Sequence, residues 1–406
     1  MRIYLNAIVI TLLLLISASG CEKITEVDRT IYIDSTKTTV VKLPEYVITD
    51  YGAIGDGVTD CSGIINSLIN KLPASGGTIL IPEGDFLLNS PISVNRSFVT
   101  IKGQNPGIRS NVDVTVTGLV NPGGGSKLIL GRAASAIEVP VLPDVNGRKN
   151  RISGLMVQNL LISGKSGSGT GINILQDNDG IRIENVIGIN LFTGIVANAS
   201  DAIIIRSCWI SEVKNSIVMN NGIQNMISNC QLGAQPGGIT IALTNQENML
   251  ITGNQIYPDG DVNLQMNNCN YTNVSSNNFQ SYYIGIIEIN NGNSNLLSSN
   301  MIWMRNPNDE SKQLRSKGND YGVIRVSGNQ NLITSNIMTC DWVNSTGDPV
   351  SIRSVSGTKN SFHSIKFINL ASNRLFYVNE TSEIFDSAPA SKIAVDGNPA
   401  NVYISY

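Results

Sequence analysis

The carboxylates Asp177, Asp179, Asp201, Glu212, Glu247, Asp259, Asp261, Glu288 and Asp320 fall in the middle of a 406-residue chain that has a single histidine, His363. Paired carboxylates can do acid–base work. One protonates a leaving oxygen while the other takes a proton from the attacking group, which is what breaking a glycosidic bond requires. One histidine excludes a histidine-rich metal site and disfavours a Ser-His-Asp arrangement. Taken singly, each acid reads first as a turn cap or a solvated side chain, so the elements that hold them decide.

Those elements belong to a repeat. Asparagine preceded by small polar residues returns in Ile227-Ser228-Asn229, Thr252-Gly253-Asn254, Ser275-Ser276-Asn277 and Ser298-Ser299-Asn300, at spacings of 25, 23 and 23 residues. Asn159 and Asn185 stand in similar phrases, Cys208 takes the asparagine's place one rung before Asn229, and Thr334-Ser335-Asn336 closes the series. Between them lie short β-branched runs, among them Ile203-Ile204-Ile205 and Ile239-Thr240-Ile241, with no helical periodicity. A turn of about 23 residues holds three strands and their bends, so turns stack as parallel sheets about 4.8 Å apart. The spacing predicts an all-β chain, a right-handed parallel β-helix. Its asparagines are expected along one edge, taking the left-handed bend and bonding the same amide one rung away.

Composition agrees with a solenoid: 41% of residues are hydrophobic, 15% charged and 6% aromatic. A net charge of −3 leaves no basic face, which excludes nucleic acid as a partner. Cys208 and Cys230 are expected as stacked core fillers, with a disulfide between them left open.

Residues 1–20 carry Arg2 and the apolar run from Ala7 to Ile16, too short to span a bilayer, and end in small residues before Cys21. This resembles the bacterial lipoprotein cleavage box, which implies a lipidated Cys21 and an exported protein held to a membrane by its lipid alone, facing the periplasm or at the cell surface. Residues 21–45 read as a tether and 46–406 as a single β-helix domain. Asp60 is the expected N-cap of an amphipathic helix whose face is Ile64, Ile65, Leu68, Ile69 and Leu72, a plug for the open edge of the first rung. Gly55-Asp56-Gly57 lacks the Lys-Ser/Thr ending of a phosphate loop. The run from Gly76 to Phe86 is expected to supply the first strand, residues 103–150 and 306–319 to leave the coil as loops, and the tail from about 360 to cap the far end.

The opening from Asp50 to Phe86 resembles the β-helix start of the pectate-lyase superfamily. Over roughly residues 76–340, the segments beginning at Thr170, Ala199, Ile210, Thr244, Tyr257, Asn319 and Asn331 resemble the inulin fructotransferases, trimeric right-handed β-helices among the glycoside hydrolases. The resemblance implies a fructan substrate, a homotrimer and no metal or organic cofactor. In the reaction it implies, the 3-hydroxyl of the terminal fructosyl unit attacks the anomeric carbon of its neighbour, and a cyclic difructose dianhydride leaves. Glu247 falls on the family's catalytic glutamate, with Asn245 and Asp201 as neighbours able to orient it. The family's partner aspartate lies in a Pro-Asp-Gly turn, and this chain has Pro236-Gly237-Gly238. Either Asp259, Asp261 or a neighbouring subunit supplies that carboxylate, or the reaction differs, or the protein binds without turning over. Asp201, Glu212, Asn245, Asp320 and Tyr321 also match family positions and, with Asp259 and Asp261, are expected to contact or support substrate. Tyr282, Tyr283 and Trp303 are candidates for the subunit contact. Two rival classes share the fold: a polysaccharide lyase or hydrolase of other specificity, and a non-catalytic glycan-binding surface β-helix, which the lost aspartate would suit.

Overall fold

A computed structural model describes residues 42–107, 125–164, 167–305, 317–341, 349–368, 375–379, 382–385 and 393–396. The expected signal segment, Cys21, most of the tether and most of the second excursion lie outside these residues. Each turn of the chain lays down three short strands, and each strand pairs in parallel with its counterparts one turn before and one turn after. The outcome is three sheets of 13, 12 and 12 strands. Sheet I runs from Glu45–Val47 to Glu383–Phe385, sheet II from Asp56–Asp60 to Lys366–Ile368, and sheet III from Ile92–Ser93 to Ile393–Asp396. This is a right-handed parallel β-helix, the hand that crossovers between parallel strands adopt.

Strand alternation explains the packing. In sheet III the residues Ile137, Ile172, Ile195, Ile217, Ile241, Leu264, Ile287, Ile324 and Ile352 stand in register from rung to rung. All are buried. Each such side chain contributes roughly 1.5–3 kcal/mol by leaving water. The residue after each points outward, where functional groups can sit.

The asparagine edge is present but shifted by one residue at its start. Asn254, Asn277, Asn300 and Asn336 form a buried ladder in which each Nδ2 donates to the next Oδ1 at 2.9–3.0 Å. Asn229 is not in it. The register pairs Gln231 with Gln255, so Cys230 precedes Asn254 in the ladder and gives its N–H to Asn254 Oδ1, and Cys208 precedes Cys230. Asn229 occupies the left-handed bend one residue earlier (φ 53°), alongside Gly253, Ser276 and Ser299. Bend tolerance and amide stacking are therefore properties of adjacent positions. Cys208 and Cys230 are buried free thiols, the Cys208 N–H donating to Cys230 Sγ.

At the N-terminal end the helix is Ser62–Lys71, with Ile65, Leu68 and Ile69 buried against the coil. Asp60 caps it from two residues ahead of Ser62, accepting that residue's N–H and hydroxyl. The first strands lie ahead of this helix, at Glu45–Val47 and Asp56–Asp60, rather than at Gly76. Within 103–150, Ser126–Leu130 and Ser135–Val139 belong to sheets II and III, so that stretch is only partly excursion. The coil also continues past residue 360, since Ser361–His363, Lys366–Ile368 and Phe376–Asn379 extend all three sheets.

Candidate functional site

Sheet III divides the expected site residues into two groups. Glu212, Asp259, Asp261, Asp320 and Tyr321 lie at the bend leading from sheet II into sheet III. Asp201, Asn245 and Glu247 lie at the opposite bend, from sheet III into sheet I. The extended stretch 239–244 separates them within one rung before the chain turns at Asn245 (φ 50°), about 20 Å at a rise of roughly 3.3 Å per residue. One chain strings the members of each group along one edge, on different rungs, and keeps the groups apart.

At the entry bend the side chains stack rung upon rung. Gln235 Nε2 donates to Glu212 at 2.6 Å, and Lys214 Nζ donates to the Pro236 carbonyl at 3.0 Å. Gly237 is exposed, in a left-handed turn with φ 78°. One rung above, Asp261 reaches down and accepts the Gly237 N–H at 2.6 Å. A carboxylate thus stands against the turn whose own carboxylate is missing, beside the Lys214 ammonium, which lies 2.6 Å from where a Cβ on Gly237 would be. Asp259 is half-buried in the same turn as Asp261, and Asp320 is exposed higher on this edge.

Above them, Tyr321 hydroxyl donates to Glu288 at 2.8 Å. Burial first, then the Glu288 hydrogen bond and charge, push this phenol up to about 12. It is held protonated, with its proton committed to Glu288. Burial acts to raise Glu288, yet hydrogen bonds from Lys317, Gln265 and Tyr321 and the Lys317 charge outweigh it and hold the carboxyl below its ordinary range.

At the exit bend, Glu247 is exposed, and among the described residues its carboxylate makes no hydrogen bond or ion pair. It stands in a column with Ile223 below and Asn270 and Asn293 above. Neither expected orienting neighbour reaches it. The Asn245 amide is committed to an outward ladder, donating to Asn221 at 2.7 Å and accepting from Asn268 at 3.2 Å. Asp201 is ion-paired to Arg151 at 3.0 Å, which also holds Asp177 at 2.8 Å. These commitments follow from stacking, because a polar group on one rung finds its partner most easily on the next. Glu247 is left as an accessible carboxylate on a rigid strand end.

Sequence reasoning passed over Lys214, Gln235, Gln265, Lys317 and Arg325. Lys214 follows Glu212 by two residues and was findable from the turn it shares. Lys317 comes from outside the repeat and gave no periodic signal. Of the proposed contact aromatics, Tyr283 is buried, while Tyr282 and Trp303 are half-buried beside the Arg305 guanidinium. Among the described residues, no group of three or more His, Cys, Asp or Glu could hold a metal ion.

Comparison with known proteins agrees with this fold. The family described as rhamnogalacturonase A/epimerase, pectate lyase-like, matches residues 47–124. The chain is 26% identical over 317 residues to the DFA-I-forming inulin fructotransferase of Arthrobacter globiformis, covering 72% of this chain and 79% of that protein. Its fold is similar to the crystal structure of DFA-IIIase from Arthrobacter chlorophenolicus A6 in complex with GF2, with a TM-score of 0.76 and 22% identity over 89% of this chain and 98% of that one. It is more distantly similar to the A-module of the mannuronan C-5 epimerase AlgE4 of Azotobacter vinelandii, with a TM-score of 0.53 and 12% identity over 89% of this chain and all of that one.

Proposed function

We propose that the protein is a fructan-cleaving enzyme of the inulin fructotransferase type, releasing a difructose dianhydride by intramolecular attack. The observation that carries this reading is the similarity to the Arthrobacter globiformis fructotransferase over 317 residues, 72% of this chain. In the proposed step a hydroxyl oxygen of the terminal fructosyl unit bonds to the neighbouring anomeric carbon, and the glycosidic bond to the rest of the chain breaks. The hydroxyl proton passes to a carboxylate base, and a carboxylic acid protonates the departing oxygen. Water must be kept out so that the internal hydroxyl wins.

Glu247 is one member of the proposed pair, and Asp261, held against Gly237, is the other. Acid and base must both reach one scissile bond, whereas the two bends are about 20 Å apart in one chain. Two chains must then meet with the exit bend of one against the entry bend of the next. A head-to-tail contact whose rotation closes gives a ring, and the homotrimer is a ring of three with sites at its contacts. Light scattering giving a monomer mass at micromolar concentration would contradict it.

The apolar run before Cys21 supports export as a lipoprotein, at the periplasmic or outer surface. Cys21→Ala should release the protein from membranes, and unchanged partition would refute the lipid anchor. The activity is tested by incubating purified protein with inulin, levan and difructose anhydride and separating the products. A dianhydride from inulin is expected. Free fructose or unsaturated products would indicate another reaction, and binding without any product would favour a glycan-binding β-helix.

A further inference from the structure

Glu288 is a carboxylate on the outward face of sheet III that has nonetheless lost contact with water, at 3% exposure. In the outward row of that sheet Gln265 stands below it and Arg325 above. Its Oε2 accepts from Gln265 Nε2 at 2.9 Å, and its Oε1 accepts from the Lys317 ammonium and from Tyr321 hydroxyl. Lys317 and Tyr321 belong to the segment that returns to sheet III ahead of Ile324–Ser327. They close over Gly285, where an added Cβ would meet Lys317 Nζ and Tyr321 Cε1 at 3.0 Å each. The Tyr321 ring also receives Lys317 Nζ at 4.5 Å and Arg325 Cζ at 4.3 Å from its centroid, and Arg325 Nη1 donates to the Tyr321 carbonyl at 3.3 Å.

The coil itself does not require this arrangement. Lower in the same row the chain places Val196, Val218 and Ala242, and those rungs pair without burying a charge. Taking a carboxylate out of water is costly unless donors satisfy it, and three donors converge here. Two of them come from the returning segment, so the contact fixes that segment more than it fixes the sheet.

We propose that Glu288 is a positioning residue: through Lys317 and Tyr321 it holds the returning segment against sheet III, so that Asp320 and the Tyr321 ring form a wall of the fructan site above Asp261. The proposal rests on the fructan reading for its ligand and on the contacts above for its geometry. Its role is indirect, since Glu288 itself is covered.

The test uses the full chain and two readouts, the rate at which trypsin cuts after Lys317, followed by mass spectrometry, and the affinity for a short inulin-type oligosaccharide, measured by calorimetry. Glu288→Gln keeps the shape and removes the charge. It should be cut about tenfold faster and bind about tenfold more weakly, the worth of a hydrogen bond to a charged group. Lys317→Arg, which keeps the charge and the cleavage site, should stay near wild type in both. Tyr321→Phe removes one donor with little change in packing, and should move both readouts the same way by a smaller factor, which keeps the test open should Glu288→Gln not fold. Unchanged cutting in Glu288→Gln and Tyr321→Phe would overturn the clamp. Faster cutting with unchanged affinity would overturn its part in the site. Should wild type bind no fructo-oligosaccharide, the fructan reading fails, while the cutting rates still decide whether Glu288 holds the segment.

Discussion

Asp261 accepts the backbone N–H of Gly237 from one rung above, at 2.6 Å. A carboxylate borrowed from the neighbouring rung therefore stands at a turn that has none of its own. Asp261→Asn should leave the fold intact and lower turnover by about a hundredfold or more, as removal of a positioned acid or base does. Gly237→Asp is the complementary change. Its left-handed φ is one that aspartate tolerates better than most residues, and the Lys214 ammonium is mobile enough to make room. In the Asp261→Asn background it should restore part of the activity. Wild-type turnover in Asp261→Asn would remove Asp261 from the site.

Glu247 is exposed and carries no hydrogen bond or ion pair among the described residues. Glu247→Gln should consequently leave Tm almost unchanged, as surface substitutions away from packed features do, while lowering turnover by a factor on the order of a hundred to ten thousand. Steady-state kinetics beside a melting curve checks both. A variant that melts early would mean the carboxylate is structural.

Asn277 sits inside the amide ladder, donating to the Ile251 carbonyl and Asn300 and accepting from Asn254. Asn277→Ala strands donors and acceptors on three rungs at once, so denaturant unfolding should show a loss of roughly 2–4 kcal/mol. Asn229→Ala lies outside the ladder and should lose less, mainly through its left-handed bend. Equal losses would contradict the division of roles.

The repeat was legible because burial imposes it. Ile241, Leu264 and Ile287 must face inward on every rung, and their spacing is visible without coordinates. The register at Asn229 was not legible, because the rung from Cys230 to Asn254 is one residue longer than the two that follow and no residue type marks which neighbour turns inward. Within the site, residue types located Glu247 and Asp261 but not their partners. Asn245 and Asp201 are drawn to neighbours 23 and 50 residues away, along the stack rather than along the strand. Lys317 reaches Glu288 from outside the period, a contact only the folded chain reveals.

The Glu288 carboxyl titrates below its ordinary value of 4.5 in the folded chain. A group with a depressed folded pKa stabilises at pH values above its unfolded pKa, and that contribution disappears as pH falls through the folded value. Glu288→Gln has no such contribution to lose. Melting temperatures taken from pH 7 down to pH 3 should fall more steeply in wild type than in Glu288→Gln. Parallel decline would show that the ion pair with Lys317 adds no pH-dependent stability.

The central claim is that one bend of sheet III on each chain completes a site with the opposite bend on the next. Mixing the two inactive variants Glu247→Gln and Asp261→Asn under conditions of subunit exchange tests it directly. Some contacts in the mixture then pair an intact Glu247 on one chain with an intact Asp261 on its neighbour. The account predicts recovery of about a quarter of wild-type dianhydride production, the share of contacts in a random mixture that join the two intact ends. Two variants that are each inactive alone and stay inactive after demonstrated exchange would contradict it.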